Sequence, residues 1–422
     1  MHEATTIPTL TSDTSENLTA AARRAESWFG EPFLAPDEDP LQALAPGTAR
    51  RAALDDALAE IAAGLTTPSA RWKVRYGLML GLERVLTEDP ARTAAGTELR
   101  RHQIDALTGM LAELIAATQR PVEENGNGST NGAVAEVEVD EEADDDFDAG
   151  FVDDDELPEA DFTGVDPGAV RRFRFRHPTA SGKTIAAAGF VEAARHLGIL
   201  ILTHRRLLVA QFKGDLTTEG YGDRFTDAII AGTAAPMNTP ITIQTYAWFA
   251  RHGSELDRNA YHLVICDEAH TALGEKTSAA IRALPEPLFI GMTATEQLIA
   301  TQVSDVFPAS VDDLPLSDAA RRGLIAPLRC LRVPPAAAIN SVPIVGGDFE
   351  ERALAAALDH QALNQAAASL YRERFGSTPG IVYAAGVEHA YNLAQEFRAA
   401  GGVRPETASA LIPAARNSCA RL

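Results

Sequence analysis

Two hydrophobic rhythms divide the chain. From about Ala49 to Arg120, apolar residues recur at threes and fours. AALDDALAEIAAGL aligns Leu54, Leu58, Ile61 and Leu65 on one helical face, and Gly64 offers a stop. RWKVRYGLMLGLERVL predicts a second helix, and RRHQIDALTGMLAELIAA a third, with Ile104, Leu107, Leu111 and Ile115 aligned. From residue 169 the rhythm changes to short apolar runs between helical stretches. FRFRH, ILILT, DAIIAG, ITIQT, HLVICD and LFIGMT are the expected strands, and TIAAAGFVEAARHLG, RLLVAQFKGDL and YAWFARH the helices between them. Continuous apolar strands alternating with helices signal an α/β fold, a parallel sheet flanked by helices on both faces. FRFR departs from this, because its period of two would expose Arg172, Arg174 and Arg176 on one side. A further unit is expected from about Gly323: IAPLRCLRV as strand, DFEERALAAALDHQALNQAAASLYRERFG as helix, PGIVYA as strand and VEHAYNLAQEFRAAG as helix.

Composition sharpens the boundaries. Residues 1–48 are rich in Thr, Ser, Pro and acidic residues and are expected to be flexible, most of all at their start. The helical region spans 49–120, an acidic insert 121–168, the first α/β domain 169–322 and the second unit 323–422. Net charge is -22, which at first argues against nucleic acid. Residues 121–170, however, hold 18 Asp or Glu and no Lys or Arg, and taking those 18 away leaves -4 for the rest. The acidity is local, so a basic groove elsewhere is allowed. Like-charge repulsion and scarce apolar residues predict disorder for the insert. It is either a solvated linker or an electrostatic decoy competing with phosphate backbone.

The three cysteines, Cys266, Cys330 and Cys419, form no CxxC or Cys/His pattern, so neither metal nor disulfide framework is indicated. Cys266 lies in an apolar run and suits a buried thiol. The start, MHEATTIPTLTSDTSENLTA, lacks the basic and apolar regions of a signal peptide, and no apolar run is long enough for a bilayer. An intracellular, cytoplasmic protein without a membrane segment is expected.

HPTASGKT carries the first chemistry. A strand, a tight loop and a helix start let backbone N–H groups converge on a phosphate, aided by the helix dipole. The loop residues are Thr179, Ala180, Ser181, Gly182, Lys183 and Thr184. Lys183 would reach the β- and γ-phosphates of ATP, and the Thr184 hydroxyl would ligate Mg²⁺. The full pattern asks for glycine where His177 stands, and Ala180 also falls where a positive φ favours glycine. LVICDEAH then places Asp267 and Glu268 at the end of an apolar strand, 84 residues after Lys183. A strand-end Asp suits the second Mg²⁺ contact, and the adjacent Glu can deprotonate an attacking water. Thr293-Ala294-Thr295 closes another apolar strand 26 residues after Asp267.

In this order of GKT, DEAH and TAT the chain resembles superfamily 2 helicases and translocases of the DEAD/DEAH-box kind. The resemblance is especially to the branch shared with the motor subunits of type I and type III restriction enzymes. The resemblance spans roughly residues 98–400 and implies two RecA-like P-loop domains with ATP-Mg between them. LRRHQ resembles the family's adenine-sensing element, which makes Gln103 the adenine reader, although a surface glutamine at a helix start would look the same. ILTHRRLLVAQF resembles an element that touches the nucleic-acid backbone through Thr203, His204 and Arg205. A solvated helix start stays open for Arg205 and Arg206. ITIQTYAWF resembles a second such element, with Thr245. In the family Thr293 and Thr295 couple the ATP site to domain movement, and His270 bridges toward them.

The resemblance then breaks. PGIVYAAGVEHAYNLAQEF matches the start of a second RecA-like domain, with Tyr383, Gly386 and His389 in place. The family's QxxGRxxR helix, whose arginines can be worth about 10³–10⁵ in rate, is absent after Gly380. The expectation is an ATP-dependent nucleic-acid motor, acting on DNA rather than RNA and poorly active alone. The alternative is a binding module completed by a protein partner that supplies the missing motor half.

Overall fold

The protein is described from a computed structural model, which covers residues 14–119, 166–233, 239–294, 300–327, 339–345, 348–376 and 378–401. These residues fall into two compact units, divided at Leu328. The helical region and the first α/β domain belong to one unit rather than two. No described helix is long and apolar enough to cross a membrane.

The first unit is built on six parallel strands: β1 (Arg172–Arg176), β2 (Ile199–Thr203), β3 (Ile241–Thr245), β4 (Leu263–Asp267), β5 (Leu288–Thr293) and β6 (Ala309–Asp313). Their order is β3-β2-β4-β5-β1-β6. Every residue of β2, β4 and β5 is buried, as strands covered on both faces require. Registers Asp267↔Met292 and Arg176↔Thr293 align the carboxyl ends of three strands along one edge. In parallel sheets that edge is where ligands bind.

Part of the segment expected to be flexible, from residue 14 on, is folded. Ser15–Phe29 is a helix, capped by the Thr14 side chain, burying Leu18, Ala21, Ala22, Ala25 and Phe29 on one face. Its apolar spacing outweighs the polar composition around it. Trp72 packs edge-on against Phe29 and Trp28 and donates to the Ala53 carbonyl. Gly81 in the helix Leu78–Thr87 lets the helix Lys183–Ala193 come close: a Cβ there would lie 1.7 Å from the Ala193 oxygen. Buried Glu31 meets Arg84 at 2.8 Å and Arg195 at 2.8 Å. Burial pushes its pKa up, against the pull of both arginines.

Several local expectations are corrected. The arginines of FRFR are not displayed to solvent, because β1 lies inside the sheet. Arg172 is fully buried and pairs with Asp166, Arg174 donates to the Pro308 carbonyl at 2.9 Å, and Arg176 pairs with Asp313 at 2.6 Å. DAIIAG forms no strand; Ile230 makes one isolated bridge to Leu256. β6 was unforeseen, since ASVDD is an edge strand with too few apolar residues to show a pattern. In the second unit, the expected single helix is two, Glu351–Leu358 and Gln361–Phe375, broken at Asp359-His360. The only described strands there are β7 (Ile344–Val345) and β8 (Asp348–Phe349), an antiparallel pair. PGIVYA is not a strand. Of IAPLRCLRV only 325–327 are described, and they are not a strand; the rest lies outside the described residues. So does the acidic insert but for Asp166, Pro167 and Gly168, and with it Cys330 and Cys419.

Candidate functional site: a phosphate loop facing a carboxylate pair

β1 ends at Arg176, and His177 extends the ladder by one bond, its N–H donating to the Thr293 carbonyl at 3.0 Å. The chain then turns tightly, with Ser181 N–H on the Pro178 carbonyl at 3.2 Å. Ala180 has φ 67 and Gly182 φ 90, both in the left-handed region where a side chain costs energy. Gly182 caps the helix Lys183–Ala193. Among the described residues no carbonyl accepts from the N–H of Gly182, Lys183 or Thr184. The Ser181 hydroxyl is buried without a partner. Thr179 and Ala180 are exposed and line an open cavity of about 500 Å³ with Leu314, Leu316 and Ile325.

Two strands away, β4 ends at Asp267, and Glu268 follows with φ 46, a strained turn for a side chain that size. Lys183 Nζ lies 2.8 Å from Glu268 Oε1. Asp267 is 8% exposed, and its pKa is pushed up to about 6. Burial is the main cause and the Glu268 charge the second, while Lys183 pulls the other way. Tyr246, buried, donates its hydroxyl to the Asp267 carbonyl at 2.8 Å and fixes the strand end. His270 Nδ1 lies 3.6 Å from Glu268 Oε2 and 3.3 Å from Thr293 Oγ1. Of the coupling candidates, His270 thus meets the carboxylate and Thr293 meets His270. Thr295 lies outside the described residues.

This donor set fits a magnesium triphosphate. Free N–H groups at a helix start favour anionic oxygens. A hydroxyl and a carboxylate are the hard oxygen ligands Mg²⁺ takes. Two adjacent acids, one with its pKa pushed up to about 6 by burial first and its neighbour's charge second, are a site short of positive charge.

Gln103 sits in the first turn of the helix Arg101–Gln119 and is 2% exposed. Its Oε1 accepts from the Arg100 N–H at 2.8 Å, and its Nε2 donates to the Gly182 carbonyl at 3.0 Å. The structure thus ties it to the phosphate loop and not to an open edge. Beside it, His102 Nε2 donates to the Ser181 carbonyl at 2.8 Å, and His177 Nε2 lies 2.7 Å from Asp312 Oδ2. Sequence reasoning passed over His102 and Asp312; their only signals were the side-by-side His-Gln at a helix start and an acidic pair opposite an arginine strand.

The nucleic-acid candidates lie at the other end of the same edge. Thr203 closes β2 with its hydroxyl buried and without a partner, while His204 and Arg205 are exposed. Thr245 closes β3 and caps the helix Tyr246–His252, accepting from the Trp248 N–H at 3.2 Å. Strand order therefore sets the phosphate loop (β1), Thr293 (β5), the carboxylates (β4), Thr203–Arg205 (β2) and Thr245 (β3) in a row. With strands about 4.8 Å apart, β1 and β2 stand roughly 14 Å from each other.

A parallel sheet with a phosphate loop after one strand, and an Asp-Glu pair two strands over, defines a P-loop nucleotide-binding domain. Residues 97–298 match the family described as type III restriction enzyme, res subunit (ResIII). That match covers a little under half of the chain, so it is a likeness of this region to that family. The structure is also similar to the crystal structure of the Pyrococcus furiosus Hef helicase domain. Identity is 16% and the TM-score 0.29, over 55% of this chain and 50% of that one. The chain thus spans about half the length of that solved structure. No curated protein matches it.

Proposed function

We propose that the chain binds ATP-Mg at the loop Thr179–Thr184 and couples its hydrolysis to movement on nucleic acid, DNA rather than RNA. The observation that supports this best is the 2.8 Å contact of Lys183 with Glu268, across the ends of β1 and β4. Bound magnesium would draw charge from the β- and γ-phosphates. Lys183 exchanges Glu268 for the γ-phosphate, and Thr184 and Asp267 supply the metal's protein oxygens. Released from Lys183, Glu268 takes the proton from the attacking water. His270 then carries the state of Glu268 to Thr293. Thr203, His204, Arg205 and Thr245 hold the polynucleotide backbone. Gln103 steadies the loop and contributes to adenine choice.

The test is binding of a fluorescent ATP analogue and Mg²⁺-dependent phosphate release by the full chain, with and without DNA or RNA. Loss of binding in Lys183→Ala is expected, and retained binding with lost turnover in Glu268→Gln. Unchanged turnover in both would overturn the reading. A protein that supplies arginines to the transferred phosphoryl group should raise turnover.

A further inference from the structure

Resting on the phosphate site just proposed, we infer that His102 and His177 are positioning residues that brace the phosphate loop and aim its backbone N–H groups. A peptide unit is planar and trans, so the C=O of one residue and the N–H of the next point in opposite directions. A carbonyl only accepts, so the 2.8 Å contact makes His102 Nε2 the donor to Ser181. Holding that carbonyl toward His102 turns the Gly182 N–H the other way. Gln103 does the same at the Gly182 carbonyl and so aims the Lys183 N–H. Two consecutive side chains of one helix turn thus set two consecutive donors, neither of which meets a carbonyl of the described chain.

His177 supplies the footing. It stands where the loop pattern has glycine, and its ring is fully buried. A carboxylate also only accepts, so His177 Nε2–H donates to Asp312 of β6. The two imidazoles meet edge to face at 5.2 Å, with Phe175 packed 4.8 Å from the His177 ring. Both Nε2 atoms are therefore committed as donors, which leaves both Nδ1 lone pairs buried without partners. Each such orphan costs stability, and a pair of leucines would fill the space without that cost. Departures of this kind collect where function holds them.

The tests are the variants His102→Leu, His102→Asn, His102→Gln and His177→Leu in the full chain, by titration of a fluorescent ATP analogue. Glutamine places its N–H₂ near the Nε2 position and asparagine does not. His102→Leu and His102→Asn should weaken nucleotide binding about tenfold, the effect of one lost hydrogen bond in a buried site, and His102→Gln less than about threefold. His177→Leu, which unties the footing and strands Asp312, should fall with the first two. A second readout needs no nucleotide: amide hydrogen exchange over 178–184 should quicken in the Leu and Asn variants but not in His102→Gln. If the unaltered chain takes up no nucleotide, the ATP reading alone fails, and the exchange rates still decide the brace. Equal behaviour of the Gln and Leu variants in both readouts would overturn the inference. So would a lowered melting temperature with binding and loop exchange unchanged, the mark of plain core packing.

Discussion

LVICD and GIVYA are near equals as sequence, five residues each and dominated by apolar side chains. Their fates differ completely. LVICD is β4, hydrogen-bonded on one side to β2 and on the other to β5, and fully buried. In GIVYA, within the second unit, no strand forms; Ile381 is 82% exposed and Tyr383 91%. A strand is a contract with its neighbours: apolar alternation supplies the side chains, but the backbone groups must be met by another strand. Only in the first unit do described strands stand on both sides. The chemistry follows the same division, because side chains at a strand end are placed only as firmly as the strand.

The sharpest way to break this comparison is to empty each segment in turn. Ile265→Ala in β4 leaves a cavity between packed layers and should cost about 2–5 kcal/mol in urea unfolding of the first unit. Ile381→Ala removes a side chain that touches little and should stay within about 0.5 kcal/mol. Comparable losses from both would mean that GIVYA is held as firmly as β4.

At the strand end itself, Glu268→Gln should lower kcat for ATP about 10²–10³-fold while leaving nucleotide affinity within about threefold. The amide keeps the shape and the contact with Lys183 but cannot take a proton. A parallel loss of affinity would mean that Glu268 builds the site rather than acting in it.

A smaller effect reports the cost of crowding two acids on that edge. Burial and the Glu268 charge push the pKa of Asp267 up to about 6, against 3.8 for an ordinary Asp. A raised folded pKa means the group's stabilising contribution is complete below the unfolded value and is lost as pH climbs through the folded one. Wild type should therefore lose ground to Asp267→Asn between pH 4 and pH 8, by about 2–3 kcal/mol at roughly 1.4 kcal/mol per pKa unit. A gap between the two proteins that does not widen with pH would show that Asp267 is not held partly protonated.

Much of this was legible in the sequence. β2, β4 and β5 announced themselves as unbroken apolar runs because both their faces are buried. The residues that end them, Thr203, Asp267 and Thr293, carried the motif. Lys183 and the Asp267–Glu268 pair could be assigned to one site on residue type and order alone. β6 could not be read, because an edge strand pairs through its backbone and ASVDD spends its side chains on Arg176 and His177. The tie of Gln103 and His102 to the loop was hidden for another reason: contacts across about 80 residues leave no periodic trace.

Thr245 sharpens the comparison at its finest scale, since one side chain has two readings. Its hydroxyl accepts from the Trp248 N–H and caps a seven-residue helix, which alone justifies a Thr there. Thr245→Ala should then cost about 1 kcal/mol of stability with no nucleic acid present, and Thr245→Ser almost none. The proposed backbone contact adds a separate expectation. Thr245→Ala should weaken DNA binding beyond its stability loss, and Thr245→Ser should keep both. Because a hydroxyl that accepts from Trp248 can still donate to a phosphate oxygen, the two roles are compatible in one atom. A variant that loses the cap but binds DNA unchanged would leave Thr245 a structural residue, and β2 alone to carry the polynucleotide contacts of this edge.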